Sequence, residues 1–173
     1  STLSSGMDRL QLAVNGSDNT SSASTSIGAL QQALQLYATS PSNQNLGTSV
    51  VEAAQQVVRS LNEGTQALQD FRTQTDGEIA TAVNELNNLL NQFQDANRAV
   101  VNGTRAGADV SDALDQRDGL LKKISEYVPV STFTRGDNDM VITTGDGTML
   151  FETVPRTVSF APSSGYQAGV PGN

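Results

Sequence analysis

Apolar residues recur with helical spacing over most of this chain, and the phase of the recurrence locates the elements. Met7, Leu10 and Val14 are spaced as one helix face. The polar stretch at residues 15–26, rich in Ser, Thr and Asn, predicts a loop. A helix follows over about Thr25–Thr39, with Ile27, Leu30, Leu34 and Tyr37 on one side. Ser40-Pro41 ends it, because the residue before proline is pushed out of the α region.

The strongest pattern starts at Val50. Val50, Ala54, Val57, Leu61, Gly64, Leu68, Phe71 and Thr75 step alternately by four and three. Ile79, Ala82, Leu86, Leu89, Phe93, Ala96 and Val100 continue the stripe after two successive fours, a stutter that locally unwinds a supercoil and keeps the seam. The stripe predicts one helix from about Gln44 to Asn102, roughly 85–90 Å long at 1.5 Å per residue. Asp76-Gly77 is the place where it would break, but one glycine costs a helix only about 1 kcal/mol and the phase is kept across it. Asn102-Gly103 is a suitable stop, and residues 103–108 a turn. A third long helix is expected over Val110–Tyr127, with Asp109 as N-cap, Asp112 in the first turn, Lys122 and Lys123 towards the end, and Asp118 and Lys122 as an i,i+4 pair.

After Val128-Pro129 the period changes. Val130–Arg135, Met140–Thr144, Thr148–Glu152 and Thr157–Phe160 are short β-prone runs, and Gly145-Asp146-Gly147 is a hairpin signal. The fold class expected is mainly α: an elongated antiparallel helical bundle over residues 1–127 with one very long helix as spine. The start of a β-rich domain of short antiparallel strands, cut off at its C-terminal end, follows over residues 128–173. In such a bundle Leu61, Leu68, Leu86 and Phe93 are buried by the helices at 25–39 and 109–127.

Composition narrows the chemistry. Ser, Thr, Asn and Gln make 62 of the 173 residues, Trp is absent and aromatics are few, which suits thin helix packing better than a thick core. With no Cys and no His, thiol nucleophiles, thiolate zinc sites, imidazole bases and disulfides are excluded. A net charge of −8 with scattered basic residues argues against nucleic acid and against an anionic membrane surface as partners. No run of about 18 apolar residues is present, and the first ten residues are not those of a secretory signal. A start at Ser1 rather than Met suggests a piece of a longer protein.

Candidate sites are few. Asp109, Asp112, Asp115 and Asp118 recur every three residues, a step that drifts around a helix, so a solvated acidic face is favoured over a cation site. Residues 137–140 lack the later ligands of a calcium loop. Arg135-Gly136-Asp137 spells an adhesion tripeptide in a context that favours a plain turn. The three Asn-x-Ser/Thr sequons, at Asn15, Asn19 and Asn102, are what an Asn/Ser/Thr-rich chain gives by chance. No convergent nucleophile or acid–base set is visible, so neither enzyme activity nor a cofactor or metal is expected. Arg117 stands out. It falls on the apolar stripe Val110, Leu114, Leu121, Ile124, where a guanidinium needs a carboxylate or carbonyl across a helix contact.

The segment Leu114-Asp115-Gln116-Arg117-Asp118, continuing through Leu120 and Leu121, resembles a motif of the hook-associated protein 1 family of the bacterial flagellum. In that family the core follows a long helix and leads into a β-rich domain, as here. The resemblance extends over about residues 25–160, with Gly47-Thr48 departing where the family often has Arg. It implies a non-enzymatic, extracellular junction subunit between hook and filament, exported without a cleaved signal. The partners implied are other axial proteins (hook protein and a second junction protein) and copies of itself. The terminal helices that build the family's inner tube are not in this sequence, so the isolated chain is expected to be monomeric or weakly associated. Another coiled-coil surface protein, such as an adhesin stalk or phage tail component, is the alternative.

Overall fold

The computed structural model describes residues 2–15, 22–163 and 165. Residues 16–21 of the loop predicted at 15–26, one sequon (Asn19) and most of the tail beyond 163 lie outside the described residues. The elements in order are helix α1 (Thr2–Asn15), α2 (Ala23–Thr39), α3 (Gln44–Ala106), α4 (Ser111–Tyr127) and strands β1 (Val130–Thr134), β2 (Met140–Thr144), β3 (Met149–Glu152) and β4 (Val154–Pro155). The expected fold class is observed: mainly helical, one very long helix, then a small antiparallel sheet. The helix runs through Gly77 without interruption.

The chain divides into two compact units, residues 1–76 with 163–173, and residues 77–162. The boundary expected after Tyr127 falls inside the second unit.

In the first unit, α2 starts earlier than predicted. Ser22 is extended, and its hydroxyl accepts the Thr25 N–H at 3.2 Å, so residues 23–26 are helical rather than loop. Among the described residues the buried positions of this unit are small and polar (Ser22, Ser26 and Ser60), and the Ser60 hydroxyl returns to the backbone, donating to the Val57 carbonyl at 3.0 Å. Small residues also mark close approaches. A Cβ on Gly47 would lie 3.6 Å from the Tyr37 ring. Leu61 (50% exposed) and Leu68 (39%) are therefore not core, contrary to the bundle expectation. Ile27 and Leu34 are exposed as well, because the inward face of α2 passes through Ser26, Leu30, Ala33 and Tyr37 instead. The Arg9 guanidinium lies over the Phe71 ring, 5.7 Å from its centroid.

The second unit has the large apolar core. Leu86, Leu89, Leu90, Phe93 and Ala96 of α3 pack with Leu120 and Ile124 of α4 and with Met140, Ile142, Leu150 and Phe151 of the sheet. Phe93 and Phe151 meet edge to face, with centroids 5.0 Å apart. Leu86 and Phe93 are buried as expected, but strands rather than the 25–39 helix help to cover them.

The sheet is a meander in the order β1-β2-β3-β4, all antiparallel. The hairpin at residues 145–147 forms with Gly147 at φ 89, which the Gly-Asp-Gly signal anticipated. The run Thr157–Phe160 is not a strand. β4 is only Val154–Pro155, since proline offers no N–H to extend a ladder, and Val158 is held by a side chain of α3. The other differences concern helix ends. α3 passes Asn102-Gly103 and stops at Ala106, with Gly107 at φ 67 supplying the left-handed residue. α4 begins at Ser111 with Val110 as N-cap. Asp109 instead accepts the Ser111 N–H at 3.0 Å from just outside the helix, and Lys122 and Lys123 precede its last turn. Asp118 and Lys122 do not reach ion-pair distance among the described residues.

Candidate functional site

Four side chains single themselves out at the junction of α3, α4 and the β1–β2 connection: Asn97, Arg117, Arg135 and Asp139. Their arrangement follows from helix periodicity. Asn97 lies four residues after Phe93 and three before Val100, on the core face of α3, and is 3% exposed. Arg117 lies three and seven residues before Leu120 and Ile124, on the core face of α4, and is 4% exposed. Two polar groups in an apolar face must find partners in the protein.

Asn97 finds three. Its Oδ1 accepts the Met140 N–H at 3.0 Å and Arg117 Nη1 at 3.2 Å, and its Nδ2 donates to Asp139 Oδ1 at 2.7 Å. Arg117 Nη1 also donates to the Asn138 carbonyl at 2.6 Å, while its Nε has no partner among the described residues. One amide side chain thus ties α3 to α4 and to the start of β2. Burial pulls the Arg117 guanidinium below its usual range, opposed by Asp118 and Asp139, and it stays charged.

Asp139 is the second node. Arg135 donates to its Oδ2 at 2.7 and 3.2 Å, to Glu152 at 2.9 Å and to Thr153 Oγ1 at 3.0 Å. Burial favours the neutral acid, but the hydrogen bonds from Asn97 and Arg135 and the charges of Arg135 and Arg105 outweigh it, leaving Asp139 below the usual carboxylate range. The loop between β1 and β2 is held in an unusual conformation, with Asp137 and Asn138 both at φ 59, a region that short polar side chains tolerate. Arg105 fixes Asp137 at 2.7 Å, and Thr104 accepts the Asn138 amide at 3.2 Å. Arg135-Gly136-Asp137 is thus a turn with both charged side chains engaged inside the unit. Thr153 has φ 64, and its carbonyl accepts Gln94 at 3.2 Å.

A separate clamp lies nearer the middle of α3. The Asn87 amide donates to the Val158 carbonyl at 2.8 Å and accepts the Val158 N–H at 3.0 Å, doing for residue 158 what a neighbouring strand would do.

Of the motif residues, Arg117 and Leu120 are buried, Leu114 and Leu121 half-buried, and Asp115, Gln116 and Asp118 exposed. Arg117 is the one that the network engages. Sequence reasoning missed Asn97, Asn87 and Asp139. The signal for Asn97 was available, as a polar residue in phase with Phe93 and Val100. Asp139 carried no local signal. Among the described residues, no group of three or more Asp and Glu side chains converges as metal ligands would. No helix among them is long and apolar enough to cross a membrane. The arrangement is a rigid polar latch, with no exposed nucleophile or acid–base pair in it.

The sequence matches the family model described as flagellar hook-associated protein FlgK helical domain over residues 7–169. Flagellar hook-associated protein 1 of Salmonella typhimurium is 26% identical over 150 residues, a match covering 85% of this chain and 27% of that protein. The protein of the same name from Escherichia coli is 26% identical over 171 residues, covering 94% and 31%. That of Bacillus subtilis is 20% identical over 150 residues, covering 87% and 29%. The chain thus spans less than a third of the length of the curated relatives that it matches.

Proposed function

The chain belongs to the family of the flagellar hook-associated protein FlgK helical domain, and on that premise we propose that its parent is a structural adaptor at the junction between flagellar hook and filament. The parent is exported, acts outside the cell without catalysis, and contacts hook protein on one side, a second junction protein on the other, and copies of itself around the axis. The observation that carries this reading is the family match, which covers nearly the whole chain. The character of the latch supports it. A junction between a bending hook and a stiffer filament calls for a part that transmits force without local melting, and buried hydrogen bonds from Asn97 and Arg117 that join two helices to the sheet stiffen the packing they span. We assign the segment Leu114–Leu121 to this mechanical role, with Arg117 joining α4 to Asn97 and to the β1–β2 loop.

Disruption of the parent gene in its own organism tests the reading. The expected result is cells with complete hooks, no filaments, and filament protein shed into the medium, with motility restored by the intact gene. Normal filaments on the disrupted strain would remove the junction role. A loss of surface attachment with filaments intact would favour the adhesin-stalk alternative.

A further inference from the structure

We propose that the second unit carries a head-to-tail self-contact, in which a groove beside Arg98 and Arg105 takes the Asp112 and Asp115 carboxylates of a second copy of this chain. The groove has a volume of about 280 Å³ and is lined by Gln94, Arg98, Val101, Arg105 and Val154, among others. Arg98 is exposed and makes no hydrogen bond or ion pair among the described residues. Arg105 is paired only with Asp137, and with side chains 63% and 46% exposed that pair is readily exchanged for another carboxylate. Asp139, the acid that also lines the groove, is taken up by Asn97 and Arg135. Val101 and the exposed Val154 add an apolar floor. The walls stay formed when Arg105 changes partner, since Asn138 is held by Thr104 and Arg117 and the turn at Thr153 by Arg135, which lowers the entropy lost on docking.

The occupant is argued from charge and placement. The chain carries a net charge of −8, so the unpartnered Arg98 and the weakly held Arg105 find carboxylate complements on another copy of the same surface. Asp112 and Asp115 are exposed, and neither makes a hydrogen bond or ion pair among the described residues. At about 100° per residue they lie about 140° and 160° round α4 from the buried Arg117, on its outward face. On α3, Gly103 marks the side where α4 begins, because a Cβ there would collide with Val110. Arg105, two residues on, is turned about 200° from it. Groove and acidic face therefore sit on opposite flanks of one unit. Complementary patches on opposite flanks make a heterologous contact, which closes into a ring when the rotation between copies allows it. The inference rests on the proposed junction role only for that ring. Exposed ion pairs are individually weak, so the contact is transient in the free chain and is captured at high concentration.

Disulfide trapping tests it, since the chain has no cysteine of its own. Asn102→Cys, on the groove flank, is combined with Gln116→Cys, on the α4 flank, and the chain is oxidised at high concentration. The expected product is a ladder extending past the dimer, with neither single variant forming dimers appreciably. Arg98→Glu/Arg105→Glu or Asp112→Lys/Asp115→Lys, added to the double-cysteine chain, removes the ladder. An equimolar mixture of the two charge variants restores it, a result that misfolded variants would not give. The proposal is overturned by the absence of a ladder, by a ladder that survives either charge reversal, or by single-cysteine dimers formed as readily as the ladder. Those failures concern this contact alone, because gene disruption reads the junction role independently.

Discussion

Replacing Asn97 by Ala is predicted to be the most damaging polar truncation in the second unit. The substitution removes a small side chain, so the effect is not one of volume. It strands the groups that Asn97 satisfies. The Met140 N–H, on a buried residue, loses its acceptor, and an unsatisfied buried donor costs about 1–3 kcal/mol. Arg117 Nη1 loses one of its two acceptors and keeps the Asn138 carbonyl, and a bond to a charged group contributes about 1.5–3 kcal/mol. Asp139 retains Arg135 and adds little. The total is about 3–5 kcal/mol, a large part of the roughly 5–15 kcal/mol that holds a domain together. Arg117→Leu is predicted to cost less, about 1–2 kcal/mol. It removes the charge together with its demands, and the Asn138 carbonyl that it leaves belongs to an exposed residue that water reaches. Urea denaturation followed by far-ultraviolet circular dichroism measures both. With a slope of about 1–3 kcal/mol per molar urea, Asn97→Ala moves the midpoint of this unit down by roughly 1–5 M. The reasoning is refuted if Asn97→Ala stays within 1 kcal/mol of the unaltered chain, or if Arg117→Leu is the more costly of the two.

Four further outcomes follow from the same structure. Phe93→Ala and Leu86→Ala each cost about 2–5 kcal/mol, whereas the half-exposed Leu61→Ala costs under about 1 kcal/mol, and thermal unfolding of the three variants side by side checks the order. Gly103→Ala lowers stability by about 1–3 kcal/mol through collision with Val110, although alanine is the better helix former, and Gly103→Ala combined with Val110→Ala recovers part of the loss. Thr153→Gly raises the melting temperature by relieving a left-handed conformation at a β-branched residue, a gain larger than the loss of one exposed bond to Arg135, and a lower melting temperature refutes it. Because Asp139 is held below its unfolded pKa of about 3.9, its contribution is present above that value and lost as pH falls through the lower folded value; Asp139→Asn therefore flattens the fall in stability below about pH 4, read from denaturation midpoints along an acid series.

The long helix was legible because a stripe sustained over about fourteen turns needs no tertiary information, and Gly77 is too small a penalty to end it. Its second half was also legible as core, since Leu86, Leu89, Phe93, Ala96 and Val100 are large or in phase. The first half misled. Leu61 and Leu68 keep the same phase, yet the buried position of α3 among the described residues of that unit is Ser60, and apolar periodicity does not register serine. Helix ends were misread wherever a signal served another purpose. Gly103 is small because Val110 packs on it, and Asp109 bonds to Ser111 from outside the helix. Arg117 could be singled out as a charge on an apolar stripe. Its partners could not, because Asn97 is 20 residues away in sequence, and the loop that brings the Asn138 carbonyl to it depends on left-handed residues that only tertiary bonds select.

The proposed junction role is tested most directly by locating the protein on intact flagella. Antibody raised against residues 1–173 and visualised with gold in the electron microscope is predicted to mark a single narrow band where hook meets filament, and to be absent from cells in which the parent gene is disrupted. Gold distributed along the filament, along the hook, or over the cell body away from flagella would contradict the account.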